Sequence, residues 1–310
     1  MKSELTKPRL IIIVGPTGVG KTELALKCAA TFGGEIISAD SMQVYRYMDI
    51  GTAKPTIEER QSIPHHLIDI VNPDEPFNAA LFVESASPVI ESIVNRGGTI
   101  FLVGGTGLYV RSLVGGLFEC PRADEELREA YRRDLMRYGS GYLHEQLRDL
   151  DAEAARKIHR NDVVRIIRAL EVIEQTGESI IRKQEEHRFA DRRYDYVTIG
   201  LTVVRSLLYE KINSRADSMI SRGLVEEVET LLAKGYTERH KPMQSMCYKH
   251  IVDYLKGGLE LSEAVRLIKR DTRRYAKRQL TWFKREEDIQ WFQPTDEMLI
   301  NQEIARFIER

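Results

Sequence analysis

The sequence predicts an α/β fold in which a mostly parallel sheet is interrupted by a helical insertion and followed by C-terminal helices. In the first third of the chain, short apolar runs alternate with helical patterns. Residues 122–193 are charged and rich in helical patterns, and a strand-like alternation returns over Tyr194–Val204. We therefore expect a core formed by 1–120 and 194–310, with a helical insertion domain at 121–193.

Each element of this fold has its own signal. Short apolar runs predict strands at Arg9–Val14, Glu35–Ser38, His66–Val71 and Thr99–Val103. Helical periodicity predicts helices at Lys21–Phe32 and Ala79–Asn95, the second ended by a Gly-Gly pair. After the insertion, longer helical patterns cover Ser206–Lys234, with an interruption near Gly223, and Ser262–Arg285.

The composition is that of an ordinary soluble globular protein. Of the 310 residues, 42% are hydrophobic and 30% are charged, which argues against disorder. No apolar run approaches the roughly 18 residues that cross a membrane, and Met1–Arg9 lacks the apolar core of a signal peptide. The three cysteines are far apart, which argues against a disulfide framework and a structural zinc module. We expect a cytoplasmic protein without a membrane partner.

The charge is unevenly distributed along the chain. The formal net charge is −1, yet 256–285 contains ten Lys or Arg residues and only three acidic residues. The helical pattern at Ser262–Arg285 places Arg266, Arg270, Arg273 and Lys277 on one stripe. A basic stretch in a neutral protein can bind nucleic acid, although a charged helix face is more often simply solvated.

A glycine-rich motif follows the first predicted strand. Gly15-Pro16-Thr17-Gly18-Val19-Gly20-Lys21-Thr22 matches the pattern G-x-x-x-x-G-K-[ST] between a strand and a helix. Backbone N–H groups of such a loop surround a polyphosphate at a helix N-terminus, Lys21 adds a positive charge, and the Thr22 hydroxyl can bind Mg²⁺. The motif indicates a diphosphate ligand without identifying which one.

The positions of the acidic residues separate this chain from an ordinary nucleotide hydrolase or kinase. Such enzymes usually carry an Mg²⁺-binding acid at the end of a later buried strand, but Thr99–Val103 is followed by the turn 104–107, which is rich in glycine. The acid at a strand end is instead Asp40. Because the carboxyl ends of parallel strands share one crevice, we expect Asp40 to lie beside the phosphate loop as a base. A helix N-cap or an indirect Mg²⁺ ligand is the alternative role for Asp40.

The chain resembles the tRNA dimethylallyltransferases of the bacterial type over nearly its whole length. The matching segments are Gly15–Thr22, Ser38–Gln43, Met48–Pro55, Pro64–Asp69, Gly104–Tyr109, Asn161-Asp162 with Arg165 and Arg168–Glu171, and Tyr275–Phe283. The resemblance implies a P-loop NTPase-like fold that does not hydrolyse ATP. It also implies transfer of a dimethylallyl group from dimethylallyl diphosphate to N6 of the adenosine just 3′ of the tRNA anticodon.

The resemblance further implies roles for individual residues. Asp40 is the general base, Thr17 contacts the bridging or leaving oxygen, and Thr22 binds Mg²⁺. The diphosphate is bound by Gly15, Pro16, Thr17, Gly18, Val19, Gly20, Lys21 and Thr22, and the flipped adenine by Asp40, Ser41, Met42, Gln43 and Thr106. Further tRNA contacts are assigned to Arg128, Val164, Arg165, Ile166, Ile167, Arg168, Ser245, Met246, Cys247, Tyr248, Lys249, His250, Lys277, Arg278, Gln279, Leu280, Thr281, Trp282, Phe283 and Lys284. Cys247 departs from the family, which usually has glycine there.

Arg215 is a third candidate catalytic residue. It falls on one helical stripe with Leu208, Ile212 and Met219, and an arginine on an apolar face needs an anion. The pyrophosphate of the substrate and a protein carboxylate are both possible partners, and the family has an arginine here.

Two other functions use the same motif. A small-molecule kinase with a P-loop is the main alternative, since the insertion could act as its lid. A non-catalytic RNA-binding switch would need a base-reading motif such as N-K-x-D, which the sequence lacks. We expect a monomer.

Overall fold

The computed structural model describes residues 7–187 and 189–310, so the start of the polar N-terminal stretch and Arg188 lie outside the described residues. The chain divides into two compact units. The larger comprises 1–114 and 193–310, and the smaller comprises 115–192, compared with the predicted boundaries of 120 and 194.

The larger unit contains a six-stranded sheet. Its strands are β1 (Arg9–Val14), β2 (Gly34–Ser38), β3 (His65–His66), β4 (Thr99–Gly104), β5 (Asp195–Leu201) and β6 (Ile289–Phe292). They lie in the order β3-β2-β4-β1-β5-β6, and every neighbouring pair is parallel. The predicted α/β class with a parallel sheet is therefore confirmed.

Helices account for most of the remaining chain. They are α1 (Lys21–Phe32), α2 (Ile57–Ser62), α3 (Ala79–Asn95), α4 (Gly107–Gly115), α5 (Glu125–Leu150), α6 (Ala152–Lys157), α7 (Val163–Thr176), α8 (Ile180–His187), α9 (Arg205–Ser221), α10 (Leu224–Ala233), α11 (Met246–Leu255), α12 (Leu261–Phe283) and α13 (Glu297–Glu309). No helix among the described residues is long and apolar enough to cross a membrane.

Alternating side chains of the strands create two apolar layers. Leu10 and Ile12 of β1 belong to the core that contains residues of α3, α11 and α12. Ile11 and Ile13 belong to the opposite core, with residues of α1 and α13. Because both faces are covered, the strands can be almost continuously apolar, as buried parallel strands usually are.

The predicted bounds of β1, α1 and α3 agree with the structure residue for residue. The predicted strand His66–Val71 is wrong beyond its first residue, because Leu67 and Asp69 have φ values of 62° and 58°, which an extended strand cannot contain. The pattern Ser206–Lys234 forms two helices, separated where Gly223 adopts a φ of 96°. The short strand β6 and the helix α13 had no predicted counterpart.

Among its described residues the smaller unit has no strand, and its main helices are α5–α8. Its core consists of apolar side chains from α5, α6 and α7, with Leu143 and Leu170 fully buried. Helix α5 bends at Gly139, whose φ of 82° and ψ of 172° are not helical. The helical character of the insertion agrees with its charged, strand-free sequence.

An internal carboxylate holds the loop after β2 in the larger unit. Glu227 of α10 accepts hydrogen bonds from the backbone N–H groups of Asp49 (2.9 Å), Ile50 (2.7 Å) and Gly51 (3.1 Å). The Tyr248 hydroxyl donates to the same carboxylate (2.7 Å). The loop is thereby fixed against α10 and α11.

Candidate active site

Three segments meet at the carboxyl edge of the sheet: the phosphate loop, the segment that contains Asp40, and the second glycine turn. The sequence predicts this meeting. The strands β2, β4 and β1 are neighbours, and Val14 pairs with Gly104. The Thr106 N–H donates to the Ala39 carbonyl (3.2 Å), and the Ser41 N–H donates to Thr106 Oγ1 (3.1 Å). These bonds tie the turn after β4 to both neighbours of Asp40.

The loop 15–22 has the backbone of an anion cradle. Gly15, Gly18 and Gly20 have φ values of 147°, 82° and 110°, in the range that favours glycine. At Gly15, an added Cβ would also lie 2.6 Å from the Leu201 carbonyl oxygen. The loop leads directly into α1, whose first N–H groups have no intrahelical acceptor and face an incoming anion.

Lys21 folds back over this cradle. Its ammonium donates to the carbonyl oxygens of Gly15 (3.0 Å) and Pro16 (2.9 Å). The pKa of Lys21 is lowered from 10.5 to about 8, mainly because the ammonium is buried; the charge of Asp40 opposes this shift and the charge of Arg215 adds to it. A bound anion would favour the charged form, so the affinity of the cradle should depend on pH near 8.

Asp40 stands in a turn, with one carboxylate oxygen used by the protein. Its Oδ1 accepts hydrogen bonds from the N–H groups of Met42 (2.8 Å) and Gln43 (3.4 Å). Residues 41–44 form turns and no helix, so the alternative role of helix N-cap is wrong. Among the described residues none donates to Oδ2, and the carboxylate lines two cavities. Asp40 can therefore accept a proton from a ligand.

Two cavities of the larger unit share the side chains around Asp40. A cleft of about 880 Å³ is lined by the cradle, including Lys21 and Thr22. A cavity of about 310 Å³ has a mainly apolar wall. That wall includes Met42, Ile212, Ala216, Met219, Met246, Cys247 and Ile268. Both spaces are lined by Thr17, Asp40, Thr52, Arg215 and Tyr275. A polar group in the cleft and a planar or apolar group in the cavity could thus meet at Asp40.

Arg215 projects from α9 between these two spaces. Its helical neighbours Leu208, Ile212 and Met219 are buried, as the stripe in the sequence predicts. No carboxylate of the described residues lies within 4.0 Å of its guanidinium, which removes the protein carboxylate as a direct partner. Burial lowers the pKa of Arg215, while the nearby Cys247 and Asp40 raise it. A half-buried cation with no such carboxylate suits an anionic ligand.

Tyr275 of α12 is a site residue to which the sequence assigns no role of its own. The helical pattern only places it on a stripe with Ala264, Ile268 and Trp282. It is half-buried and lines both cavities beside Asp40. Burial, together with the charge of Asp40, raises the pKa of Tyr275 to about 12, so its hydroxyl stays protonated. The signal available in the sequence was a tyrosine among Ala264, Ile268 and Trp282 on that stripe.

Several of the predicted tRNA contacts have side chains that are buried in the structure. The buried ones are Ile166, Ile167, Tyr248, His250, Gln279 and Phe283. Successive residues of a helix point in different directions, so a contiguous stretch cannot all face one ligand. Val164, Arg165, Lys277, Arg278, Thr281 and Lys284 are exposed, and Ser245, Met246, Cys247, Lys249, Leu280 and Trp282 are partly exposed.

Two predicted tRNA-binding arginines of the smaller unit are engaged inside it. Arg128 Nε lies 2.9 Å from an oxygen of the buried Glu171, and Arg168 Nη1 lies 2.5 Å from the other oxygen. Burial raises the pKa of Glu171, but the hydrogen bonds from both arginines lower it overall. These arginines neutralise an internal charge, which leaves Arg165 as the exposed cation of the predicted pair.

The basic stripe of α12 is also partly neutralised. Arg266 pairs with Glu263 (2.6 Å) and Arg270 with Asp271 (2.8 Å), while Arg273 donates to the Asn213 side chain (2.6 Å). Among the described residues, no acid lies within 4.0 Å of Lys277, Lys284 or Arg285. We call these three side chains, with Arg278 and Trp282 between them, the basic face. Lys277, Arg278, Trp282 and Arg285 of this face line a shallow depression.

Comparisons with known proteins identify the family. The family model for IPP transferase matches residues 43–286, and that for isopentenyl transferase matches residues 8–77. A tRNA dimethylallyltransferase 2 of Syntrophus aciditrophicus is 54% identical over 308 residues, covering 99% of both chains.

Solved structures agree with this result. The crystal structure of the full-length tRNA isopentenylpyrophosphate transferase of Bacillus halodurans has a TM-score of 0.72 and 44% identity, covering 98% of this chain and 97% of that one. A eukaryotic dimethylallyltransferase acting on tRNA has a TM-score of 0.75 and 29% identity, covering 92% of this chain and 73% of that one. The chain belongs to the IPP transferase family, the family of the tRNA dimethylallyltransferases.

Proposed function

We propose that this enzyme transfers a dimethylallyl group from dimethylallyl diphosphate to N6 of the adenosine 3′-adjacent to the anticodon in tRNA. The observation that carries the proposal is the meeting of two spaces at Asp40, one lined by an anion cradle and the other largely apolar. Family membership supports this reaction over phosphoryl transfer by a small-molecule kinase, and no observation on the site favours the kinase.

The diphosphate would occupy the cleft. The bond between the allylic carbon and the diphosphate oxygen breaks, and negative charge grows on the leaving group. Apart from that of Thr17, which donates to a protein side chain, the backbone N–H groups of the loop 15–22 would stabilise this charge, together with the Lys21 ammonium and the Arg215 guanidinium. Thr17 lies at the boundary of the two spaces, which suits contact with the bridging oxygen.

The adenine would enter the apolar cavity with its exocyclic amine toward Asp40. The lone pair of that amine is delocalised into the ring, which makes it a weak nucleophile. As the bond from N6 to the allylic carbon forms, Asp40 takes a proton from N6 and diphosphate leaves. General base catalysis of this kind contributes about 10²- to 10⁴-fold.

Mg²⁺ fits this site as a partner of the diphosphate. Thr22 lines the cleft, and the described residues contain no cluster of three or more His, Cys, Asp or Glu side chains that could hold a metal alone. Mg²⁺ is often bound by one or two protein oxygens together with substrate phosphates and water. Bound there, it would supply further positive charge to the leaving group.

The tRNA would bind the basic face and the exposed parts of the predicted contact set. The basic face comprises the last two turns of α12 and the two residues that follow this helix, and α12 also contributes Tyr275 to the cavities. All three cysteines are free, which supports a reducing, cytoplasmic setting.

The test is transfer of label from dimethylallyl diphosphate to tRNA. Purified enzyme should label a tRNA that carries adenosine 3′ of the anticodon, with release of diphosphate, and should not label a transcript with guanosine at that position. Incubation with ATP in place of the labelled substrate should give no turnover. Phosphoryl transfer from ATP without labelling of tRNA would instead support the kinase alternative.

A further inference from the structure

A buried amide of α12 joins the two glycine turns of the site. The Thr17 N–H donates to Gln279 Oε1 (2.8 Å), and Gln279 Nε2 donates to the Gly105 carbonyl (2.9 Å). The Gln279 side chain is only 6% exposed. Its acceptor and its donor are thus both directed at backbone groups, one in the phosphate loop and one in the turn after β4.

The turn after β4 carries this connection to Asp40. A Cβ added to Gly104 would lie 2.1 Å from the Ala39 carbonyl oxygen, so the turn and the end of β2 are in direct contact. Thr106 then bonds to Ala39 and Ser41 on either side of Asp40. A continuous set of contacts therefore runs from Thr17 through Gln279 to the backbone that carries the proposed base.

We propose that Gln279 is a positioning residue that sets the separation of Thr17 and Asp40, and that its side chain makes no contact with tRNA. The inference rests on the proposed function, because that function assigns roles to Thr17 and Asp40. The Thr17 N–H is bonded to Gln279 and is not part of the anion cradle. Gln279 instead holds the backbone from which the Thr17 side chain reaches the boundary of the two cavities.

The separation of these groups matters because they act on the two ends of one displacement. Thr17 is assigned to the leaving oxygen and Asp40 to the attacking nitrogen, so the allylic carbon must fit between them. A misplacement of about 1 Å can cost about 100-fold in rate. Gln279 also lines the cleft. Loss of the amide would let the two glycine turns move apart while the side chains of Thr17 and Asp40 remain present.

The first variant is Gln279→Met, which keeps the shape of the side chain and removes both hydrogen bonds. We expect the single-turnover rate at saturating tRNA and dimethylallyl diphosphate to fall about 10- to 100-fold. The Kd of tRNA should stay within about twofold of that of the wild type. Lys277→Met is the contrasting variant, because Lys277 is exposed and is proposed to contact tRNA. We expect this variant to bind tRNA more weakly.

The second variant, Gly105→Ala, displaces the same amide from the opposite side. Its Cβ would lie 2.2 Å from Gln279 Nε2, whereas its next protein neighbour outside Gln279 is the Gly15 carbonyl oxygen at 3.6 Å. We expect Gly105→Ala to show the same loss of rate with unchanged tRNA affinity. The double variant should be no more than about twofold slower than the slower single variant, because both changes break one connection.

The possible outcomes are distinguishable. A wild-type enzyme that fails to label tRNA would overturn the proposed function itself. If the wild type is active and the variants Gly105→Ala and Gln279→Met both react at the wild-type rate per folded molecule, only the positioning role would be overturned. Weaker tRNA binding with an unchanged saturated rate would show Gln279 to be a tRNA contact. If Gln279→Met does not fold, Gly105→Ala carries the test alone.

Discussion

The phosphate cradle and the basic face both attract anions, but they are built from different parts of the chain. The cradle uses backbone N–H groups, and the glycines of its turn have positive φ. The basic face uses long side chains at the end of α12 and just beyond it. Charges in the cradle therefore act at fixed distances in a partly buried place, whereas those on the basic face act through solvent and are screened by salt.

The largest effect should come from Asp40, beside the cradle. Asp40→Asn keeps an oxygen for the Met42 N–H and removes the capacity to accept a proton, so we expect the transfer rate to fall by about 10²- to 10⁴-fold. Single-turnover transfer to tRNA measures this rate. Diphosphate affinity, measured in parallel, should change little, and a near-normal rate would show that Asp40 is not the base.

Arg215 should have the next largest effect. Arg215→Gln removes a charged donor worth about 1.5–3 kcal/mol, so we expect the KM for dimethylallyl diphosphate to rise about 10- to 100-fold. The thermal unfolding temperature should not fall correspondingly, because the guanidinium has no carboxylate partner among the described residues. A loss of stability with an unchanged KM would indicate a structural role for this arginine.

The pH dependence of diphosphate binding should reveal Lys21. Its pKa of about 8 in the empty site lies below the ordinary 10.5, so the ammonium is charged below pH 8 and progressively neutral above it. A bound anion favours the charged form, so affinity should fall by up to about tenfold per pH unit above 8. Calorimetric titrations in buffers of different ionisation enthalpy should detect uptake of a proton.

Lys21→Arg is the matched variant for this measurement. A guanidinium stays charged over the whole range, so its diphosphate affinity should be nearly flat from pH 7 to pH 9. If the wild type were equally flat, the lowered pKa of Lys21 would have no bearing on binding.

The basic face should show the smallest effect per residue. Neutralising Lys277 or Lys284 to Gln should weaken tRNA binding and reduce the slope of log Kd against log salt by about 0.7–0.9 for each tRNA phosphate that the variant no longer neutralises. Filter binding at several salt concentrations measures that slope. Arg266→Gln on the same helix is the control, because Arg266 already pairs with Glu263 and should leave the slope unchanged.

The fold and the cradle could be predicted because their signals are local. The loop 15–22 is a contiguous motif between an apolar strand and a helix, and the rule for parallel strands then brings Asp40 beside it. The short strand β3 could not be predicted correctly, because the apolar pattern after His66 continues through residues with positive φ.

The remaining errors concern pairings between distant residues. Nothing in the sequence indicates that Arg128 reaches Glu171, so Arg128 resembles a free cation until the packing is known. Arg168 lies only three residues before Glu171, but the sequence does not show that this carboxylate is buried and shared by both arginines. Likewise, Gln279 sits among exposed basic residues in the sequence, and only the three-dimensional packing of α12 turns its side chain inward. Helical periodicity predicts which residues share a face of a helix, but it does not predict which residues that face contacts.

The carboxylate of Glu227 has a practical consequence for mutagenesis. The Tyr248 hydroxyl and three consecutive backbone amides converge on it, and the Tyr248 ring fills the space beside Gly51, where an added Cβ would lie 2.6 Å from Cε2. Replacing Tyr248 would release a loop that borders the apolar cavity. Such a variant would bind its acceptor poorly and would therefore behave as if a residue that contacts the acceptor had been lost, although the Tyr248 side chain is buried.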